Sequence, residues 1–350
     1  MTEQTTTSAV PDPERLAEHL QPKIDELERE REATRRSAFR WFAFLGFATL
    51  GVAIAAAVFV AMQAGGAGAG FGVMPLAFGG ALIVISAYRH QTRWSDRVGR
   101  VLIPEVCKAL DGDIKYQAEA DRSFVKPYNA LEMIGPWNRG WVKHLLRGEY
   151  RGRRFEMAHA DLRARSSGKN SSGDSDVFKG LLFRIQTQAN SEPGLSIRPN
   201  FGWLTKAFGK RVIPTGNKEF DALFLVSPDD GSALDTEQLN RVLTPDWQRA
   251  LLALNETLGT VPITGEPRLH AGLKYDAFYM TLSLKERGRF RTLRSRPFPD
   301  VGHILATESS LDRDLHKLIK EIGIVYRVIE QLPDSDHWPS SQSELENENM

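Results

Sequence analysis

One cysteine, Cys107, stands in 350 residues. That excludes an intramolecular disulfide and any cysteine-built zinc site, and it agrees with a reducing compartment. A single thiol among apolar neighbours reads as a small core residue. Charge of one sign is also missing: the net charge of +1 gives no general reason to expect nucleic acid. The eight histidines are dispersed, with no HExxH and no other His/Cys/Asp/Glu spacing that would bring ligands onto one helix face. A nucleophile elbow, a Walker loop and a dinucleotide fingerprint are absent as strand-turn-helix units. No catalytic residue, metal ligand or cofactor is therefore assigned, and the reading is of a non-enzymatic protein.

Two long runs lack charge altogether, residues 41–62 and 71–88, separated by QAGGAGAG at residues 63–70. An apolar bilayer core of roughly 30 Å needs about 20 helical residues, so the pattern predicts a two-helix transmembrane hairpin. Both runs must be helical wherever they meet lipid, because backbone polar groups there have to be bonded internally. Pro75 falls in the first turn of the second run, where its missing N–H does no harm. Gly51 with Ala55, and Gly79-Gly80, are candidate helix-packing positions, since small residues let two helices approach closely.

Arg29, Arg31, Arg35, Arg36 and Arg40 precede the first run, Arg89, Arg93, Arg97 and Arg100 follow the second, and the loop between has no Lys or Arg. The positive-inside rule then puts both termini in the cytoplasm. The long polar lead and long apolar run argue against a cleaved signal peptide.

Around the hairpin, residues 1–13 and the acidic tail 333–350 have the composition of disordered segments. Residues 14–40 read as a juxtamembrane helix interrupted at Pro22, with Leu16, Leu20, Ile24 and Leu27 on one face. That stripe is either a short coiled-coil contact between protomers or one side of a solvated helix. Residues 89–112 read as connecting helices, the second opened by Pro104.

From residue 113 to 332 the pattern predicts an α+β domain of mixed or antiparallel sheet with flanking helices. Candidate strands are residues 148–163, split in two around Arg151-Gly152, and residues 178–188, 220–226, 269–273 and 278–284. SSGKNSSGDSD at residues 166–176 reads as a loop. Thr244-Pro245-Asp246 starts a helix with an N-cap hydroxyl, Pro at the first position and an acid in the first turn. A second helix begins at Ser310 and carries Leu311, Leu315, Leu318, Ile322, Val325 and Ile329 on one face.

Three stretches combine cations with aromatics. In residues 137–147 a helical reading sets Trp137, Trp141 and Leu145 on one face and Arg139, Lys143 and Arg147 on another. Residues 201–211 hold Trp203, Lys206, Lys210 and Arg211, and residues 287–298 are rich in arginine. Such segments lie on anionic leaflets or meet an anionic partner; equally, their aromatics face a core that the arginine stems cover. Asp229, Asp230 and His270 are the candidates for an enzyme or small-molecule sensor, with Asp229-Asp230-Gly231 also reading as a turn.

FKGLLF (178–183), EFDALFLVSPDD (219–230), LTPDWQRALLAL (243–254) and LHAGLKYDAFYMTL (269–282), in that order, resemble the bacterial membrane proteins of domain-of-unknown-function family 3137. The resemblance spans roughly residues 148–285 and departs in a longer connection before the Leu-Thr-Pro helix start. It implies a cytoplasm-facing α+β domain on an inner-membrane hairpin, and no activity. The partners expected are the lipid bilayer, a protein or lipid headgroups met by the domain, or a second copy met through the spans or the N-terminal helix; a structural subunit of a membrane complex is the other reading.

Overall fold

The computed structural model describes residues 13–64, 73–110, 113–165, 174–200, 212–229, 234–258, 269–283 and 311–333. The predicted disordered ends before Pro13 and after Pro333, the glycine loop beyond Ala64 and the stretches 201–211 and 287–298 lie outside the described residues. Two units can be separated: residues 13–105 with 311–319, and residues 106–283 with 320–333.

In the first unit, α1 runs unbroken over Pro13–Ala64 and α2 over Val73–Ala109. Pro22 and Pro104 sit inside these helices, so Pro22 does not interrupt its helix and Pro104 does not open a new one. A proline removes one backbone bond and kinks a helix, and here the flanking turns continue regardless. Leu16, Leu20, Ile24, Leu27 and Arg31 are buried in steps of three and four, and the same face reappears at Ala38 and Ala53. The N-terminal leucine stripe is therefore buried within the chain.

The outer face of α1 behaves oppositely. Phe44, Phe47, Val52, Ile54, Phe59 and Met62 are 56–80% exposed. Among the described residues one helical stretch, Glu18–Phe59, is long and apolar enough to cross a membrane; its most apolar window has a mean hydropathy of 2.3 and is 6% buried. A core helix of a soluble protein hides such a surface, and exposed apolar patches of this extent mark membrane or partner contact.

Two contacts tie α1 to α2. Arg97 donates from Nε and from a terminal nitrogen to the two carboxylate oxygens of Glu30, both at 2.6 Å. Farther along, a Cβ built on buried Gly79 would stand 2.1 Å from Thr49 Cγ2. The two helices are thus antiparallel and approach closely at Gly79. Gly51 and Gly80 have nothing within 4 Å of a built Cβ, and Ala55 is exposed while Ala53 is buried; close packing falls on Gly79 alone among the four candidates.

The second unit is an α+β domain built on a six-stranded antiparallel sheet. Its strands are β1 Lys115–Glu119, β2 Arg139–Tyr150, β3 Arg153–Arg165, β4 Asp174–Pro199, β5 Phe224–Pro228 and β6 Leu269–Ser283. They run β1-β2-β3-β4-β5, and β6 lies along the other edge of β4. The β2–β3 turn is the predicted one: Arg151 (φ 49°) and Gly152 (φ 72°) give the paired left-handed conformations of a two-residue hairpin loop.

Several expectations are corrected here. Residues 269–273 and 278–283 belong to one continuous strand, β6, and β4 begins at Asp174, inside the expected loop. Polar residues 187–194 interrupt the alternation of β4, yet it continues through register shifts between Gln186 and Leu195. Residues 218–223 form a short helix, α4 (Lys218–Leu223), not the start of a strand. Asn217 Oδ1 accepts from the N–H groups of Glu219 and Phe220 at 3.1 and 3.3 Å, which begins a helix where the apolar pattern alone reads as extended.

Before β2 comes α3 (Lys126–Ala130), following a 3₁₀ turn at Arg122–Val125. It covers part of one sheet face: Tyr128 and Leu131 join Val142, Ala158, Ala160 and Leu182 in a buried cluster. On the opposite face, Trp247 of α6 (Pro245–Leu258) packs on Phe278, ring centroids 5.4 Å apart. α5 (Thr236–Val242) is capped reciprocally by Asp235 and Gln238. α7 (Leu311–Gln331) places Tyr326 against Tyr150 and Phe155, and Tyr150 donates to Glu330 at 2.9 Å.

Candidate functional site

Strand alternation decides where the charged side chains of the sheet go. Glu156 points to the same face as Ala158 and Ala160, but beyond the area covered by α3. Its register partners are Arg147 on β2 and Arg184 on β4. Arg147 Nε donates to Glu156 Oε1 at 2.7 Å and its guanidinium also donates to Gln117 Oε1 at 3.0 Å. Arg184 donates to Glu156 Oε2 at 3.2 Å. One carboxylate on the middle strand is thereby shared by two guanidinium groups, with a fourth strand supplying Gln117.

These groups floor a cleft of about 320 Å³, lined by Arg147, Arg154, Phe155, Glu156, Arg184, Gln186 and Asp276. Gln186 Nε2 donates to Asp276 Oδ2 at 3.3 Å. Among the described residues three arginines and two carboxylates line the cleft. Arg154 is 78% exposed and meets Glu149 only at 4.0 Å, an ion pair that contributes little in water. Burial raises the pKa of nearby Tyr279, keeping its hydroxyl protonated. The cleft offers guanidinium donors to carboxylate or phosphate oxygens of something bound.

Of the described residues expected at a surface contact, Arg147 enters this cleft and Trp137, Arg139, Trp141 and Lys143 do not. The helical reading of residues 137–147 is overturned by β2. Period-two alternation sends Trp141 and Lys143 to one face, whereas a register irregularity after Lys143, with His144 at φ 55°, brings Leu145 to the other. Trp141 stacks edge-on against His159 at 4.8 Å, with Lys143 Nζ 5.4 Å from its ring centroid. Trp137 precedes the strand, packs on the α3 cluster and donates from Nε1 to Asn129 Oδ1 at 3.3 Å, with the Arg122 guanidinium 5.8 Å above its ring. The two tryptophans therefore share no face, and Arg139 lies exposed at the strand start. Trp203, Lys206, Lys210 and Arg211 lie outside the described residues.

Neither Asp229 nor His270 lines the cleft, and Asp230 lies outside the described residues. The Asp229 side chain is 6% exposed, receives a hydrogen bond from Lys274 Nζ, and its carboxylate sits against the backbone of Gly194. The same bond raises the Lys274 pKa. His270 donates from Nδ1 to the carbonyl of Met133 at 3.3 Å, and burial, reinforced by Arg198, lowers its pKa to about 4. Both are engaged within the fold, His270 through Nδ1 alone, since its Nε2 is buried without a hydrogen-bond partner. Among the described residues no three His, Cys, Asp or Glu side chains converge as a metal site. Cys107 is buried, which pushes its thiol up to about 12.

Glu156, Arg184 and Asp276 were not singled out from the sequence. The one available signal was an acid, Glu156, flanked by Phe155 and Met157 in β3. No family model matches the chain, and no curated protein sequence matches it. Among solved structures, the crystal structure of the mycobacterial trehalose monomycolate transport factor A, TtfA, is similar at 9% identity and a TM-score of 0.27, over 71% of this chain and 96% of that one.

Proposed function

We propose that this chain is a membrane-anchored, non-enzymatic binding protein, with α1 and α2 forming a two-span hairpin, both termini on the cytoplasmic side of a bacterial inner membrane, and the α+β domain holding a protein partner. The observation that carries the reading is the outward apolar face of α1, which no part of the described chain covers. The close approach at Gly79 and the Glu30–Arg97 clasp support a second span, since they hold the apolar start of α2 alongside α1. Arginines flank both helices on the same side and the connecting loop has none.

For the partner, the cleft between Arg147, Arg154 and Arg184 favours an acidic peptide segment, which guanidinium forks bind in bidentate fashion. Asp229 and His270 lend no support to an enzyme, being engaged by Lys274 and by Met133.

Carbonate extraction and a reporter fused after Met350 test the anchor: the full chain stays in the pellet and the reporter is active in the cytoplasm. Release into the supernatant, or a periplasmic reporter, overturns it. In-cell cross-linking of the full chain tests the cleft. R147E/R184E loses the adduct formed by the parent protein, and an unchanged adduct pattern removes the cleft from the proposal.

A further inference from the structure

The base of the anchor carries a charge pattern that the partner-binding reading does not use. Between Glu32 and Asp96 the sequence has no acid, and all five of its Lys or Arg positions are arginine: Arg35, Arg36, Arg40, Arg89 and Arg93. The Glu30–Arg97 and Thr49–Gly79 contacts set the antiparallel register of α1 and α2. Arg36 consequently lies level with residues 91–92, between Arg89 and Arg93, and Arg40 lies level with residues 87–88. Cations from both helices therefore fall in one belt about a helical turn or two deep.

Arg36, Arg40, Arg89 and Arg93 are all exposed. The Arg36–Glu32 contact, 3.2 Å and open to water at both ends, contributes little. Within each helix the arginines stand four residues apart, a separation of about 5–6 Å between Cβ atoms, at which two guanidinium forks can flank one phosphate. The belt directly borders the exposed apolar face: Trp41, 52% exposed, stands edge-on to Phe44 at 5.9 Å, an arrangement suited to headgroup depth.

Resting on the hairpin reading above, we infer that this arginine belt binds the phosphodiester headgroups of anionic phospholipids, one at Arg36/Arg40 and one at Arg89/Arg93. A lipid fits better than a free anion, because only a lipid covers the cations and the adjoining aromatic and aliphatic surface together. An anionic lipid fits better than a zwitterionic one, because four arginines gathered at one depth, with the exposed Glu32 beside Arg36 as their acid, repel until they are neutralised. Arginine suits the role where lysine would not, since its planar fork meets two phosphate oxygens at once.

The test uses the purified full chain in a mild non-ionic detergent, titrated separately with phosphatidylglycerol, phosphatidylcholine and inorganic phosphate and read by native mass spectrometry. Phosphatidylglycerol binds in preference to phosphatidylcholine, and inorganic phosphate does not displace it. R36Q/R40Q and R89Q/R93Q each weaken phosphatidylglycerol binding, by about fivefold per arginine. The lysine variants R36K/R40K and R89K/R93K fall between parent and glutamine. Equal binding of the two lipids, displacement by inorganic phosphate, or glutamine variants indistinguishable from the parent overturns the inference. Carbonate extraction of the same proteins separates the two readings: a chain that is integrated but shows no lipid preference loses the belt alone, and a chain that is not integrated loses the anchor.

Discussion

Replacing Gly79 by alanine adds one methyl group where α1 and α2 come closest. Three atoms of Thr49 would lie 2.1, 2.6 and 3.0 Å from it, inside contact distance. Thr49 cannot rotate away freely, because its hydroxyl donates to the carbonyls of Leu45 at 2.8 Å and Gly46 at 3.0 Å. The helices must therefore separate locally, and overpacking of this kind costs about 1–3 kcal/mol. A value near 2 changes the folded-to-unfolded ratio of the unit roughly thirtyfold. Alanine also has the better helix propensity, by about 1 kcal/mol, so controls are needed that carry the propensity gain without the clash.

Gly51→Ala and Gly80→Ala supply them, since neither site has an atom within 4 Å of the new Cβ. The assay is thermal unfolding of the full chain in mild detergent, followed by circular dichroism at 222 nm. G79A melts below the parent protein, while G51A and G80A melt at or above it. Adding T49G to G79A removes the opposing side chain, so the double mutant is more stable than the sum of the single effects predicts. If G79A melts with the two controls, the helices are not packed at this point and the antiparallel register falls with it.

Two further outcomes concern the soluble domain. Asp229→Ala strands a cation that is 22% exposed; full burial of an unpaired charge costs 3–5 kcal/mol, and this partial exposure brings the expected loss to about 2. Lys274→Met in the same chain restores most of it in urea unfolding, and no recovery would show that the ion pair is not what Asp229 supplies. His270, held at about 4 against an ordinary 6.5, binds its proton in the unfolded chain before it does so in the folded one. Its contribution is therefore intact above pH 6.5 and is lost as pH falls toward 4, by an amount on the order of 3 kcal/mol. H270N flattens the difference in stability between pH 7 and pH 4.5; a variant with the parent's full pH dependence would refute the buried neutral imidazole.

What local pattern alone can establish was legible in the residues. The uncharged run of α1, the two-residue turn at Arg151-Gly152 and the starts of α6 and α7 depend on neighbours within a few positions, as does the α+β class that follows from them. Helix continuity through Pro22 and Pro104, the uninterrupted β4 and the short helix at Lys218 turn on competition between local propensity and pairing with distant chain. Residues 137–147 show the limit most clearly: their apolar spacing satisfies a helix, and pairing with β1 and β3 makes them a strand that separates Trp137 from Trp141. The cleft joins positions as distant as Gln117, Arg147, Glu156, Arg184 and Asp276, and the meeting of Gly79 with Thr49 depends on two helices turning back along each other. No periodicity encodes either one, because both come from register between segments that the chain brings together only on folding.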